Sequence, residues 1–204
     1  MKSKIGLLCC LTVISFGLMS CAPTTKLTAV WRDETLQDKK VEKIFVMGML
    51  PDKSSRELLE NEFVEGLKAR GIDAVASYPV LSFETLADKE TVKSAVEVYN
   101  RDVILSARQI ETKSVQRLIT TLTYRSCVYV DWPGYPQPCI MDLVPVTTAL
   151  TDTYLVMETD LYDAKTEKLL WKAQAEVWVI EHDPELIKSF VKAMLDRLSQ
   201  EKVI

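Results

Sequence analysis

The 204-residue chain predicts an α/β domain. Its mixed sheet would combine an N-terminal β-α-β-α-β unit with a C-terminal antiparallel hairpin, and its helices would lie mainly on one face. Three observations lead there. Strand-like and helix-like apolar patterns alternate from Val41 to Ile110. The segments after Arg117 then show no helical period until Asp183, and a strict period of two runs from Leu169 to Ile180. Alternating strands and helices imply parallel strands joined by crossovers, whereas successive extended segments imply hairpins.

In chain order, the first element lies outside the fold. Lys2 and Lys4 precede an apolar run from Ile5 to Leu18, the charged and apolar regions of a secretory leader. The run is too short to span a bilayer as a helix, which takes roughly 20 apolar residues. Leu18-Met19-Ser20-Cys21 resembles the lipobox of bacterial lipoproteins, with Met19 departing from the usual residue at its place. That resemblance implies cleavage before Cys21, acylation of Cys21 and attachment to a membrane through lipid. Ala22, where an Asp would signal inner-membrane retention, implies the outer membrane, facing the periplasm. The organisation read from sequence is therefore a leader over 1–20, a lipidated tether over 21–37 that becomes ordered around Leu27 to Trp31, and a single domain over 38–204. Trp31 is expected at the rim of the core.

Val41 to Leu50, nearly all apolar and ended by Pro51-Asp52, suits a central strand covered on both faces. Ser54-Ser55-Arg56-Glu57 reads as a capping box. Leu59, Phe63, Val64 and Leu67 then form a helical stripe that Gly71 ends. "IDAVASY" gives a second strand. Asp88 is placed to cap a second helix, with Val92, Ala95, Val96 and Tyr99 on one stripe, and "VILSARQI" gives a third strand. Right-handed crossovers between neighbouring parallel strands would put both helices on one face. "RLITTLTYRSCVYV", "TYLVMETDLYD" and "KLLWKAQAEVWVI" read as extended segments, the last two as a hairpin. In the final strand Trp171, Ala173, Ala175 and Val177 share one face, and Lys172, Gln174, Glu176 and Trp178 share the other. Asp183-Pro184 opens a last helix with a stripe from Leu186 to Leu198, expected to dock beside the other two.

The strand-helix-strand stretch from Lys43 to Leu81 and the turn "DLYDAKTEKLLWKAQAE" resemble a group of uncharacterised bacterial outer-membrane lipoproteins. The shared features are an acidic-aromatic helix ending in glycine, a Ser-Tyr after the second strand, and a Leu-Tyr-Asp-Ala-Lys-Thr turn. The topology is similar to that of envelope adaptor lipoproteins, which implies a role in envelope assembly through an envelope protein partner. Glu167 stands where that group carries Gly, so mild backbone strain is expected there.

Composition narrows the function classes. The formal charge is -4, and it becomes -6 once Lys2 and Lys4 leave with the leader. An acidic chain without a basic cluster is a poor match for nucleic acid. No cofactor is implied, because no Gly-rich phosphate loop follows a strand. No metal is implied either, because one histidine without a cysteine cluster lacks the usual ligand spacing. That histidine, His182, reads as a solvated turn residue. Alternation turns Glu158 and Asp160 outward, toward solvent or Lys172, as surface charge. A hydrolase would need two acids facing each other in a cleft, and no catalytic residue is assigned.

The segment from Cys127 to Cys139, "CVYVDWPGYPQPC", differs from core sequence. In an oxidising envelope, Cys127 and Cys139 are expected to form a disulfide. Three prolines stiffen the ring while Tyr129, Trp132 and Tyr135 provide amphipathic surface, and Trp178, with Tyr154 across the hairpin, adds to it. Two readings stand: a loop that docks a protein partner, or a lid folded over the end of the sheet. The functional expectation is a non-catalytic, membrane-anchored envelope protein acting through protein contacts. The alternative is a small-molecule or glycan-binding module using the aromatic loop.

Overall fold

A computed structural model describes residues 24–38, 41–128, 140–179 and 184–204, with backbone alone at 37–38, 125–128 and 140–142. Strands β1 (Thr25–Arg32), β2 (Lys43–Met49), β3 (Asp73–Ala76), β4 (Val103–Val128), β5 (Ile140–Asp163) and β6 (Leu169–Val179) form one sheet in the order β1-β6-β5-β4-β2-β3. Helices α1 (Lys53–Lys68), α2 (Lys89–Val98) and α3 (Pro184–Gln200) pack on it. β2 runs parallel to β3 and β4, and every other pairing is antiparallel. The mixed α/β sheet is the expected class.

Two expectations about layering are corrected. α1 and α3 cover one face, where Ile44, Val46, Leu105, Trp171, Ala173, Phe63, Phe190 and Met194 form the main core. α2 lies on the other face with Phe45, Met47, Leu81, Leu86, Val92 and Val96. The cause is strand order. β3 lies on one side of β2 and β4 on the other, so the two crossovers run in opposite directions. Right-handed crossovers in opposite directions deliver their helices to opposite faces. α3 therefore docks beside α1 alone. There Phe63 meets Phe190 edge to face, with centroids 6.1 Å apart. Gly66 lets α3 come close, since a Cβ on it would stand 2.3 Å from Leu195 Cδ1.

The cap of α1 also differs. Asp52, not Ser54, is the N-cap, and its carboxylate accepts from the Ser55 amide at 2.7 Å. Thr25 to Arg32, where order was expected around Leu27 to Trp31, form β1, which pairs with β6 and belongs to the sheet. As an edge strand with a bulge between Leu27 and Ala29 it leaves Trp31 46% exposed, not packed in the core rim. Glu167 does adopt a left-handed backbone, φ 60°, and its carboxylate pairs with Lys89 across the sheet end.

The largest departure concerns the strands of the second half. "VILSARQI" and the segment after it are not separate: they form one strand of 26 residues, β4, antiparallel to the 24-residue β5. β2 leaves β4 at Arg108, and β6 leaves β5 at Thr153. Beyond these points, among the described residues, β4 and β5 pair only with each other. They project as a two-stranded ribbon of about 45 Å, at roughly 3.4 Å per residue.

Candidate functional site

The ribbon and its root are the part of the molecule that ordinary packing does not explain. β-branched and Thr-rich sequence favours extended backbone along Val115–Thr123 and Val144–Thr153, so the strands persist past the sheet. Among the described residues no layer covers the side chains there. Leu118, Leu122 and Tyr124 are 74%, 68% and 65% exposed, and Leu143, Val146 and Leu150 are exposed as well. Cross-strand contacts are what the ribbon has: Thr120 and Thr147 share a hydroxyl hydrogen bond at 2.8 Å, and Arg117 pairs with Asp152 at 2.6 Å. A lone two-stranded ribbon is at best marginal in water, and two unpaired strand edges invite another chain.

The root is held by two buried polar clusters. In the first, Glu60 of α1 accepts from the backbone amides of Gly48 (2.9 Å), Ser77 (2.6 Å) and Tyr78 (2.8 Å), and from the Ser77 hydroxyl at 2.8 Å. Arg56, one turn earlier, donates to Glu60 at 2.9 Å and to the Leu81 carbonyl at 2.9 Å. Both side chains are buried, and the pair is stable there because each charge has several partners. Gly48 fits closely here, as a Cβ would lie 3.2 Å from Glu60 Cγ and 3.3 Å from Arg56 Cγ. The Ser-Tyr following the second parallel strand is thus the amide pair that captures the helix carboxylate.

The second cluster corrects the reading of Glu158 and Asp160 as surface charge. Both point to the expected side, opposite α1 and α3, yet both are buried. Among the described residues no helix covers them; Arg108, Lys172, Gln174 and Tyr162 from β4, β5 and β6 do, by laying long side chains over the sheet. Arg108 pairs with Glu158, Gln174 donates to it at 2.9 Å, and Lys172 lies 3.1 Å from Glu158 and 3.3 Å from Asp160. Burial disfavours the Glu158 charge, but the hydrogen bonds from Gln174, Arg108 and Lys172 outweigh it and bring its pKa to about 2. Burial and the neighbouring Glu158 charge push the Asp160 carboxyl up, against the pull of Lys172. The same burial raises the Tyr162 phenol, whose hydroxyl donates to Asp160 at 3.2 Å. Two acids and two bases balance, and the four are spent on one another.

Between the N-terminal ends of α1 and α3 and the sheet lies an apolar cavity of about 210 Å³, lined by Leu59, Gln109, Leu155, Met157, Leu186 and Phe190. It opens at the ribbon's root. On the opposite face Trp178 is half-buried and stands across from Tyr154 in register, as anticipated, beside the Lys113–Glu176 ion pair at 2.8 Å.

The remaining sequence-derived site residues lie outside the described residues: Cys21, Tyr129, Trp132, Tyr135, Cys139 and His182. The backbone of Cys127 belongs to the end of β4, but its side chain is not described. Among the described residues no group of three His, Cys, Asp or Glu side chains could hold a metal ion. Nor is any described helix long and apolar enough to cross a membrane. Sequence reasoning missed the ribbon and the Arg56–Glu60 pair. The ribbon had a signal, the uncharged runs Leu118–Tyr124 and Leu143–Thr151; the pair had none, since i,i+4 charges usually mark a solvated helix face.

No family model matches the chain, and no curated protein matches it. Among solved structures, the PelC dodecamer from Paraburkholderia phytofirmans is similar at 12% identity and a TM-score of 0.44, covering 85% of this chain and 95% of that one. The lipoprotein GNA1162 from Neisseria meningitidis is similar at 12% identity and a TM-score of 0.39, covering 78% of this chain and 99% of that one. These are distant likenesses of outline, and no residue role is taken from them.

Proposed function

We propose that this chain is a non-catalytic envelope lipoprotein, anchored by acyl groups on Cys21 in the outer membrane and facing the periplasm. It serves envelope assembly through protein contacts made by the β4–β5 ribbon. One observation carries this reading: a long ribbon with exposed apolar side chains, both of its edges unpaired among the described residues, projects from an otherwise well-packed domain. Contiguous exposed apolar surface of that kind marks an interaction site. Membrane attachment rests on the leader and the cysteine that follows it, several acyl chains being enough for permanent anchoring.

The test has two parts. Labelled palmitate should enter the chain, and Cys21→Ser should abolish the label and release the domain from sedimenting envelopes. A photoreactive residue at Leu118 should then give a discrete protein adduct in cells, whereas the same residue at Glu65, on exposed α1 surface, should not. Unlabelled protein, or equal adducts from both positions, would remove the reading.

A further inference from the structure

From the height of the ribbon's uncharged band and the place where the chain enters the sheet, we infer that the β4–β5 ribbon spans the bilayer in which Cys21 is anchored. It does so as one hairpin of a β-barrel closed by further copies of this chain. The inference rests on the lipid anchor proposed above and adds the ribbon's destination and partner.

The first observation is the band. Between Arg117 and Arg125 on β4, and between Asp142 and Asp152 on β5, no residue carries a charge. At about 3.4 Å per residue these intervals measure about 27 Å and about 34 Å along the strands. Tilted by about 40°, they become about 21 Å and about 26 Å, close to the roughly 25 Å apolar belt of outer-membrane barrels. Both ends of the band are marked by opposite charges at corresponding places, Arg117 with Asp152 and, in register, Arg125 with Asp142. The faces also differ. Leu118, Leu122, Tyr124, Leu143, Pro145 and Ala149 share the face that continues from α1 and α3 with Thr151 and with Thr120 and Thr147, whose hydroxyls bond to each other. The opposite face holds Thr121, Thr123 and Thr148 with Ile119, Val144, Val146 and Leu150, these apolar four each less exposed than Leu118, Leu122 or Tyr124.

The second observation is position. Thr25 lies in one row with Val177, Leu155 and Thr112, at the ribbon's root, and the Thr24 carbonyl accepts from the Trp178 amide at 2.8 Å. β1 runs from that row away from the ribbon. Cys21 is three residues before Thr24, within about 10 Å of extended chain. An acylated Cys21 can therefore reach a bilayer surface only near that end, the one from which the ribbon projects.

The third is the edges. In hydrocarbon every backbone donor and acceptor must be paired, so an open ribbon cannot enter alone. The edge of β4 beyond Arg108 and the edge of β5 beyond Thr153 run in opposite directions. The β4 edge of one copy can then pair antiparallel with the β5 edge of the next. Repetition around an axis normal to the membrane closes such head-to-tail contacts into a ring, with each Cys21 on the same side. At least four copies are needed to reach the eight strands of the smallest outer-membrane barrels.

The full-length, palmitate-labelled protein reconstituted in phosphatidylcholine–phosphatidylglycerol vesicles and digested with proteinase K provides the test. A protected fragment containing both Leu118–Tyr124 and Leu143–Leu150 is expected, and without heating it should migrate in SDS as a multiple of its own mass. Leu122→Arg, on the lipid-facing side, should reduce that fragment at least tenfold. Thr123→Arg, on the lumen side, should change it less than twofold. Palmitate labelling should be unchanged in both. A labelled, vesicle-bound protein without the fragment overturns the barrel and leaves the adaptor reading intact. The same protected multimer in lipid-free solution shows ribbons buried between copies in water, and overturns the membrane assignment. A monomeric protected fragment overturns pairing between copies. Absence of palmitate label overturns both readings together.

Discussion

Val103 to Ala107 and Leu118 to Tyr124 belong to the same strand, yet they share almost no kind of neighbour. The first stretch has β2 on one side and β5 on the other, α1 and α3 over Val103, Leu105 and Ala107, and residues of the α2 layer beside Ile104. The second has, among the described residues, β5 alone, with Leu118, Leu122 and Tyr124 exposed on one face. The difference teaches where stability and function divide in this molecule. In the body, backbone pairing and apolar burial reinforce each other. In the ribbon the pairing is present while the burial, in the proposed assembly, comes from lipid and from other copies.

Changes in the body should therefore unfold the protein, and changes in the ribbon should not. The largest effect is expected from Trp171→Ala. Trp171 is fully buried and its indole donates to Glu201 at 2.8 Å, so the variant should lose about 4 kcal/mol in urea denaturation of the leaderless chain. Glu60→Ala should follow closely, at about 3–5 kcal/mol, because Arg56 and the Ser77 and Tyr78 amides would be left without their acceptor in the interior.

Glu158→Gln should cost about 2–3 kcal/mol at pH 7, by the loss of charge-assisted hydrogen bonds. The sign of its pH dependence follows from the lowered pKa. The folded carboxyl sits at about 2 against an ordinary 4.5, so its stabilisation is complete above about pH 4.5 and disappears as pH falls through 2. The gap between the variant and the parent protein should narrow between pH 4.5 and 2.5 in the same denaturation experiment. Asp160, whose pKa is raised, has the opposite sign, and Asp160→Asn should be neutral or slightly stabilising at pH 7.

A smaller effect sharpens the turn between β5 and β6. Glu167→Gly relieves a left-handed backbone and loses an exposed pair with Lys89, for a net gain of about 0.5–1 kcal/mol. Smallest of all, Leu118→Thr in the ribbon should leave the stability of the leaderless chain within about 0.5 kcal/mol.

The sequence displayed the body more clearly than the ribbon, for a physical reason. Apolar period identifies a face only when that face is buried by the chain itself. Leu59, Phe63 and Leu67, or Trp171, Ala173 and Ala175, could be assigned to the core because α1 and β6 meet it along one stripe. Strand order was not legible, since the short apolar runs in β2, β3 and the start of β4 carry no record of which neighbours they choose, and the side taken by α2 depends on that order. Glu158 and Asp160 were placed on the right face, but period cannot tell that long side chains from three strands would close over them. The ribbon was read only as extended segments because its apolar residues fall on both faces, which resembles irregular core sequence when no partner is in view.

Amide hydrogen exchange followed by mass spectrometry compares the two regions most directly. In vesicles holding the full-length lipidated protein, the amides of Leu118–Tyr124 and Val144–Leu150 should be protected for hours, as well as those of Val103–Ala107. In the leaderless chain without lipid the body should stay protected while the ribbon exchanges within seconds. Fast ribbon exchange in both preparations would contradict the account.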